Sequence, residues 1–150
     1  MTLKTLIRTV EAVAKGQPSV RTIIPNDVFL LNSRSDAEYG VFAWTQGVHT
    51  ASADSSLVTY QLTLFYVDRL TADQGNRLDV QSTGIETLDN IIRDLAERGI
   101  EPGKYNTGEY TFQTFNQRFL DECAGVYTTV SLTVPAGSLC PEGYDYDLNI

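Results

Sequence analysis

Residues 57–67 read LVTYQLTLFYV, and they constrain the chain more than any other stretch. Val58, Tyr60, Leu62, Leu64 and Tyr66 recur at every second position, so a strand turns all five to one face. Thr59, Gln61 and Thr63 take the opposite face. A helix would scatter both sets. Phe65 and Val67 then make the second face apolar too. That end of the strand is therefore expected to be covered on both sides, by a helix, a loop or a neighbouring subunit.

Two helical patterns can cover the first face. In residues 2–15, Leu3, Leu6, Ile7, Val10, Val13 and Ala14 fall three and four apart and share one side. Thr2 can cap the start. Gly16, in the left-handed position after the helix, and Pro18 are expected to stop it. In residues 76–98 the expected apolar stripe is Leu78, Ile85, Leu88, Ile91, Ile92 and Leu95. Thr83 and Glu86 match a T-x-x-E capping box, which predicts a regular helix starting only at Thr83. Asp89–Arg93 and Asp94–Arg98 are opposite charges four apart in the favourable order. Gly99 and Pro102–Gly103 supply the stop.

The remaining periodic segments read as strands. Residues 20–31 are extended but broken at Pro25, which suits a sheet edge. Residues 40–49 follow, then a small polar link, TASADSS. Residues 108–118 form an aromatic strand. In residues 125–134, Val126, Thr128, Val130, Leu132 and Val134 line a core face; Tyr127, Thr129, Ser131 and Thr133 line a face that is wet or at an interface. The expected class is α+β: a mostly antiparallel sheet of about four or five strands, with two helices packed on one face, in the order α-β-β-β-α-β-β. Residues 1–135 make the single domain of this 150-residue chain. Residues 136–150, AGSLCPEGYDYDLNI, read as an aperiodic tail or arm.

Chemistry is hard to place on this frame. The one histidine, His49, sits at a strand end outside any G-x-S-x-G context, so it reads as a polar strand end. Cys123 and Cys140 lack C-x-x-C spacing and read as free thiols. The segment GIEPGKY, Gly99 to Tyr105, is one residue short of a phosphate loop and follows a helix instead of a strand. Asp68, Asp73, Asn76 and Asp79 lack the spacing of a calcium loop and favour the positive end of the following helix. No pair among the acidic residues is marked for glycoside chemistry. The expectation is no catalytic, cofactor or metal site, and no enzyme. The net charge of −8 argues against a nucleic-acid binder, which needs cations for phosphates. No run approaches the roughly 18 apolar residues of a membrane span. Charges interrupt the apolar stripe of the first helix, so synthesis in the cytosol is expected.

One resemblance adds to these readings. An alternating strand ending LFYVDRL, a polar turn, and a helix reading STGIETLDNIIRDL resemble the tail-terminator and head–tail connector proteins of tailed bacteriophages. FNQRFLDECAGVYTTVSLTVP looks like the closing strand pair of such subunits, with CAG at the turn. The resemblance covers residues 1–135. It implies a subunit made in the host cytoplasm that forms a homo-oligomeric ring, commonly sixfold, at the neck or tail of the virion beside other neck or tail proteins. Such a head-to-tail ring needs two different contact patches on each subunit. The candidates are Phe65 and Val67, Phe112 and Phe115 of the aromatic strand, and Tyr144 and Tyr146 of the tail. The rival class is a small-ligand carrier or enzyme whose pocket is lined by Trp44, Tyr60, Tyr66 and Phe112.

Overall fold

The computed structural model describes residues 2–26, 38–98, 108–118 and 122–136. The tail with Tyr144, Tyr146 and Cys140, the second half of the 20–31 stretch, and the Gly99–Tyr105 turn lie outside the described residues.

The elements follow the order α1 (Leu3–Lys15), β1 (Thr22–Ile24), β2 (Val41–Gln46), β3 (Thr50–Ala51), β4 (Leu57–Arg69), α2 (Arg77–Arg98), β5 (Gln113–Arg118) and β6 (Glu122–Pro135). This is an α+β fold with one six-stranded sheet, ordered β1-β2-β4-β6-β5, with β3 beside β4. The sheet is mixed: β1 runs parallel to β2, and every other pairing is antiparallel. Pro25 cannot donate to a ladder, which limits β1 to three residues on the sheet edge. The short β3 is the element the polar link concealed.

The long pair β4–β6 is the spine of the sheet, in register from Leu57 opposite Pro135 to Arg69 opposite Cys123. Both helices lie on one face. Leu62, Leu64 and Tyr66 of β4 and Val126, Val130, Leu132 and Val134 of β6 meet Leu6, Val10 and Val13 of α1 and Leu88, Ile91 and Leu95 of α2. At roughly 1.5–3 kcal/mol for each fully buried large apolar side chain, this cluster supplies the main drive to fold.

Four local expectations change. Helix α2 is continuous from Arg77, so the box at Thr83 starts nothing. Its entry is made by the acidic turn. Asn76 Oδ1 accepts the Thr71 amide at 2.8 Å, and its Nδ2 donates to the Arg69 carbonyl at 3.0 Å. Asp73 accepts the Thr71 hydroxyl at 2.7 Å and the Gly75 amide at 3.0 Å. The buried side of α2 runs through Val80, Gly84, Thr87, Leu88, Ile91, Ile92 and Leu95, whereas Leu78 is 77% and Ile85 38% exposed. A Cβ on Gly84 would come within 2.8 Å of Val126 Cγ2 and 3.1 Å of Tyr66 Cδ1. Small residues bring that side of the helix against the sheet, and the larger Leu78 and Ile85 are turned off it. Gly16 keeps a right-handed φ of −75°, so the stop of α1 rests on Pro18. Cys123, Ala124 and Gly125 lie within β6, paired on both sides, and not at a turn.

Asp89 joins α2 to the segment leading into β5. It accepts the Tyr110 hydroxyl at 2.6 Å and pairs with Arg93 at 2.8 Å. Burial alone would raise the Asp89 carboxyl, but the Tyr110 hydroxyl and the Arg93 guanidinium together outweigh it and hold it below the ordinary carboxylate range. A lowered carboxyl stabilises the fold above its unfolded pKa, and that contribution fades as pH falls through the folded value. Tyr110→Phe is expected to cost about 1 kcal/mol at neutral pH. The gap between variant and parent should close as Asp89 protonates in acid, which urea melts at a series of pH values will follow. A gap that stays constant with pH contradicts this account.

Candidate functional site: the sheet face opposite the two described helices

The face turned away from the helices changes character along the strands. One end is apolar. Ile24, Val41, Ala43, Val67 and Cys123 form a second cluster, each 1% exposed or less, with Tyr39, Phe65 and Phe115 packed against it. The other end carries hydroxyls. Thr59 pairs with Thr133 at 2.9 Å and Thr63 with Thr129 at 3.0 Å across β4 and β6. Such cross-strand pairs each add a few tenths of a kcal/mol to about 1 kcal/mol.

Between the two ends stand three half-buried aromatic rings, Phe65, Phe115 and Tyr127. Phe65 meets Phe115 edge-on at 6.4 Å between centroids and Tyr127 at 5.8 Å; Phe115 and Tyr127 lie 6.0 Å apart. The register explains the group. Phe65 faces Tyr127 across β4–β6, and Phe115 faces Gly125 across β5–β6. Gly125 has no side chain, so the Phe115 ring lies over it. Tyr127 fixes its own tip by donating to Gln113 Oε1 at 2.5 Å. Arg69 extends the face, its guanidinium 4.8 Å above the Tyr39 ring.

The sequence-derived interface residues separate on this frame. Phe65 and Phe115 come together. Val67 is fully buried within the single chain and acts as core. Phe112 packs on the main core with Tyr110, edge-on at 5.6 Å, and stands apart from the aromatic trio. Tyr127 was not singled out, although its place on the outer face of the 125–134 alternation was the signal for it. Of the residues named for a ligand pocket, Trp44 and Tyr66 are 6% and 2% exposed core side chains, and Trp44 Nε1 donates to Glu11 Oε2 at 2.9 Å. An open groove of about 550 Å³ between α1 and β1, bordered by Glu11, Lys15, Arg21 and Ile23, is a separate feature.

His49 has a structural use. Between Gln46 opposite Leu62 and Thr50 opposite Thr59, three residues face two, which is a bulge. The Gln61 amide donates to His49 Nδ1 at 3.1 Å, leaving Nε2 to donate to Gln46 Oε1 at 3.0 Å. The imidazole therefore replaces a ladder acceptor. Among the described residues no three His, Cys, Asp or Glu side chains converge on a metal position, and no helix is long and apolar enough to cross a membrane.

No protein-family model matches the chain, and no curated protein matches it significantly.

Proposed function

We propose that this chain is a structural subunit of a tailed-bacteriophage virion. It builds a homo-oligomeric ring, sixfold in the arrangement the resemblance implies, at the neck or tail beside other neck or tail proteins. The observation that carries the reading is the aromatic trio Phe65, Phe115 and Tyr127, only partly buried on a sheet face that neither described helix covers. Aromatic side chains offer large contact area at low entropic cost and are enriched at the centres of interfaces. The role is assembly, with no reaction assigned to it. The rival carrier reading loses two of its wall residues, since Trp44 and Tyr66 belong to the core.

Electron microscopy of assembled particles tests the proposal. The chain is expected in a closed ring, each contact burying roughly 1,200–2,000 Å² in total. Absence of the chain from the particle, or only small wet contacts between its copies, would overturn the reading.

A further inference from the structure

Helix α1 turns a basic side to solvent. Lys4, Arg8 and Lys15 fall at spacings of four and seven, so they share one side of the helix, and all three are exposed. Lys15 also borders the open groove of about 550 Å³ between α1 and β1. Arg21, just before β1, borders it too and is exposed. The rest of the lining is mostly apolar: Ala12, Val20, Ile23 and Pro25, with Ile23 packed on the main core. The acid in the lining, Glu11, accepts the Trp44 indole N–H at 2.9 Å. A basic-rimmed apolar groove is thus set in a chain whose net charge is −8.

The outward side of α2 carries the complement. Leu78 and Ile85 stand about two turns apart and are 77% and 38% exposed, although both are large and apolar. Asp79 and Glu86 repeat that spacing on the other shoulder of the same side, and both are exposed. Asp89 and Arg93, further along, already neutralise each other. Seven residues of helix rise about 10.5 Å, and Arg8 and Lys15 are seven apart on α1 as well. Two cations and two carboxylates therefore stand at equal intervals on two different helices. Among the described residues none of these four forms an ion pair. Both helices are packed on the sheet with these residues turned to solvent, so the two surfaces can meet only between copies.

We infer that the outward side of α2 in one copy lies in the α1–β1 groove of the next, with Leu78 and Ile85 on the apolar lining and Asp79 and Glu86 beside Arg8 and Lys15. An amphipathic helix laid in an apolar groove is a recurrent mode of recognition, with anchors at i and i+7. Opposite charges at the rim select the partner and fix its register. The contact is heterologous, as a head-to-tail ring requires. It deepens the ring reading and rests on it for the closed arrangement. The aromatic trio, on the opposite face of the sheet, is a separate surface.

Two charge reversals in the full-length chain test the contact, with self-association followed by sedimentation equilibrium. Arg8→Glu/Lys15→Glu and Asp79→Lys/Glu86→Lys should each weaken association about tenfold or more, because like charges then face each other. An equimolar mixture of the two variants should regain it, since each supplies the surface the other needs. Leu78→Ser/Ile85→Ser leaves the charge unchanged and should weaken association by a similar factor, which keeps the test alive if a reversal harms the fold. Association untouched by the reversals, loss in both without recovery in the mixture, or a parent still monomeric at about 1 mM overturns the inference. So does loss confined to the basic reversal, which would give the groove to a different partner, and so does a parent that binds duplex DNA through these cations and not its own copies. A closed ring in particles with the outward side of α2 left free overturns this contact and leaves the ring reading standing. A chain absent from particles overturns the ring reading, whether or not the purified copies associate in this way.

Discussion

Replacing Gly125 by valine is expected to destabilise the protein by about 3 kcal/mol, the upper end of the usual cost of overpacking. Glycine inside a strand normally weakens it, so a β-branched residue would ordinarily help. Here the space is already taken. A Cβ at Gly125 would stand 2.5 Å from Phe115 Cζ and 2.5 Å from the Tyr66 backbone carbonyl oxygen. The ring can swing away, but the carbonyl belongs to the central β4–β6 ladder and cannot. Two consequences separate these contacts. Thermal unfolding should move down by roughly 6–12 °C for a chain of this size. Adding Phe115→Ala should recover only the part due to the ring and leave the larger part in place. Full recovery in the double variant would mean that the ladder is not the obstacle. Because the Phe115 ring rests on Gly125, the single variant should also scatter the aromatic trio and, under the proposed ring reading, weaken assembly beyond what lost stability explains.

The same glycine shows what the sequence made legible. Alternation in 57–67 and 125–134 identified the spine of the sheet and its core face, because a period of two has one physical meaning over that length. Helical spacing located both helices. It failed in detail on α2, where an apolar count favours Leu78 and Ile85 over Gly84 and Thr87. The fit between helix and sheet favours the small residues, and no period encodes that fit. The box at Thr83 failed for a related reason: a cap forms only where the helix begins, and the hydrogen-bonded turn from Thr71 to Asn76 had already begun it. Gly125 reads as a turn residue beside Cys123 and Ala124, and only the register across β5 and β6 turns it into the seat of Phe115. The candidate face was half legible. Phe65 stood out because it broke the polar side of its strand. Val67 broke it too, yet the single chain already buries it. Which of two adjacent apolar residues is left partly open depends on what packs beside them, and β4 alone does not contain that information. The role of His49 was hidden because a bulge is a property of two strands together.

Tyr66 is expected to make the protein fail in alkali in a way that one substitution removes. Its ring is buried between the sheet and α2, and its hydroxyl donates to the Ser19 carbonyl at 3.4 Å. Burial pushes its pKa up to about 12, and the neighbouring Asp68 carboxylate adds to the shift. The unfolded chain ionises a tyrosine near pH 10. The folded chain holds the proton longer, so the stability linked to this group is complete below pH 10 and is lost as pH rises from about 10 to 12. Two units set an upper bound of roughly 2–3 kcal/mol, lowered by whatever solvent screening reaches the hydroxyl, and still a sizeable share of the stability of one domain. Tyr66→Phe keeps the ring and has nothing to ionise. Near pH 8 it should match the parent within about 1 kcal/mol, since it gives up a single long hydrogen bond. Above pH 10 the parent should lose stability faster, and the variant should become the more stable of the two by pH 12. Urea melts of both proteins across that range provide the comparison, and ultraviolet titration of the folded proteins should show a late-ionising phase in the parent that Tyr66→Phe loses. Parallel decline of the two proteins, with no late phase lost from the titration of Tyr66→Phe, would show that Tyr66 is not held neutral by the core.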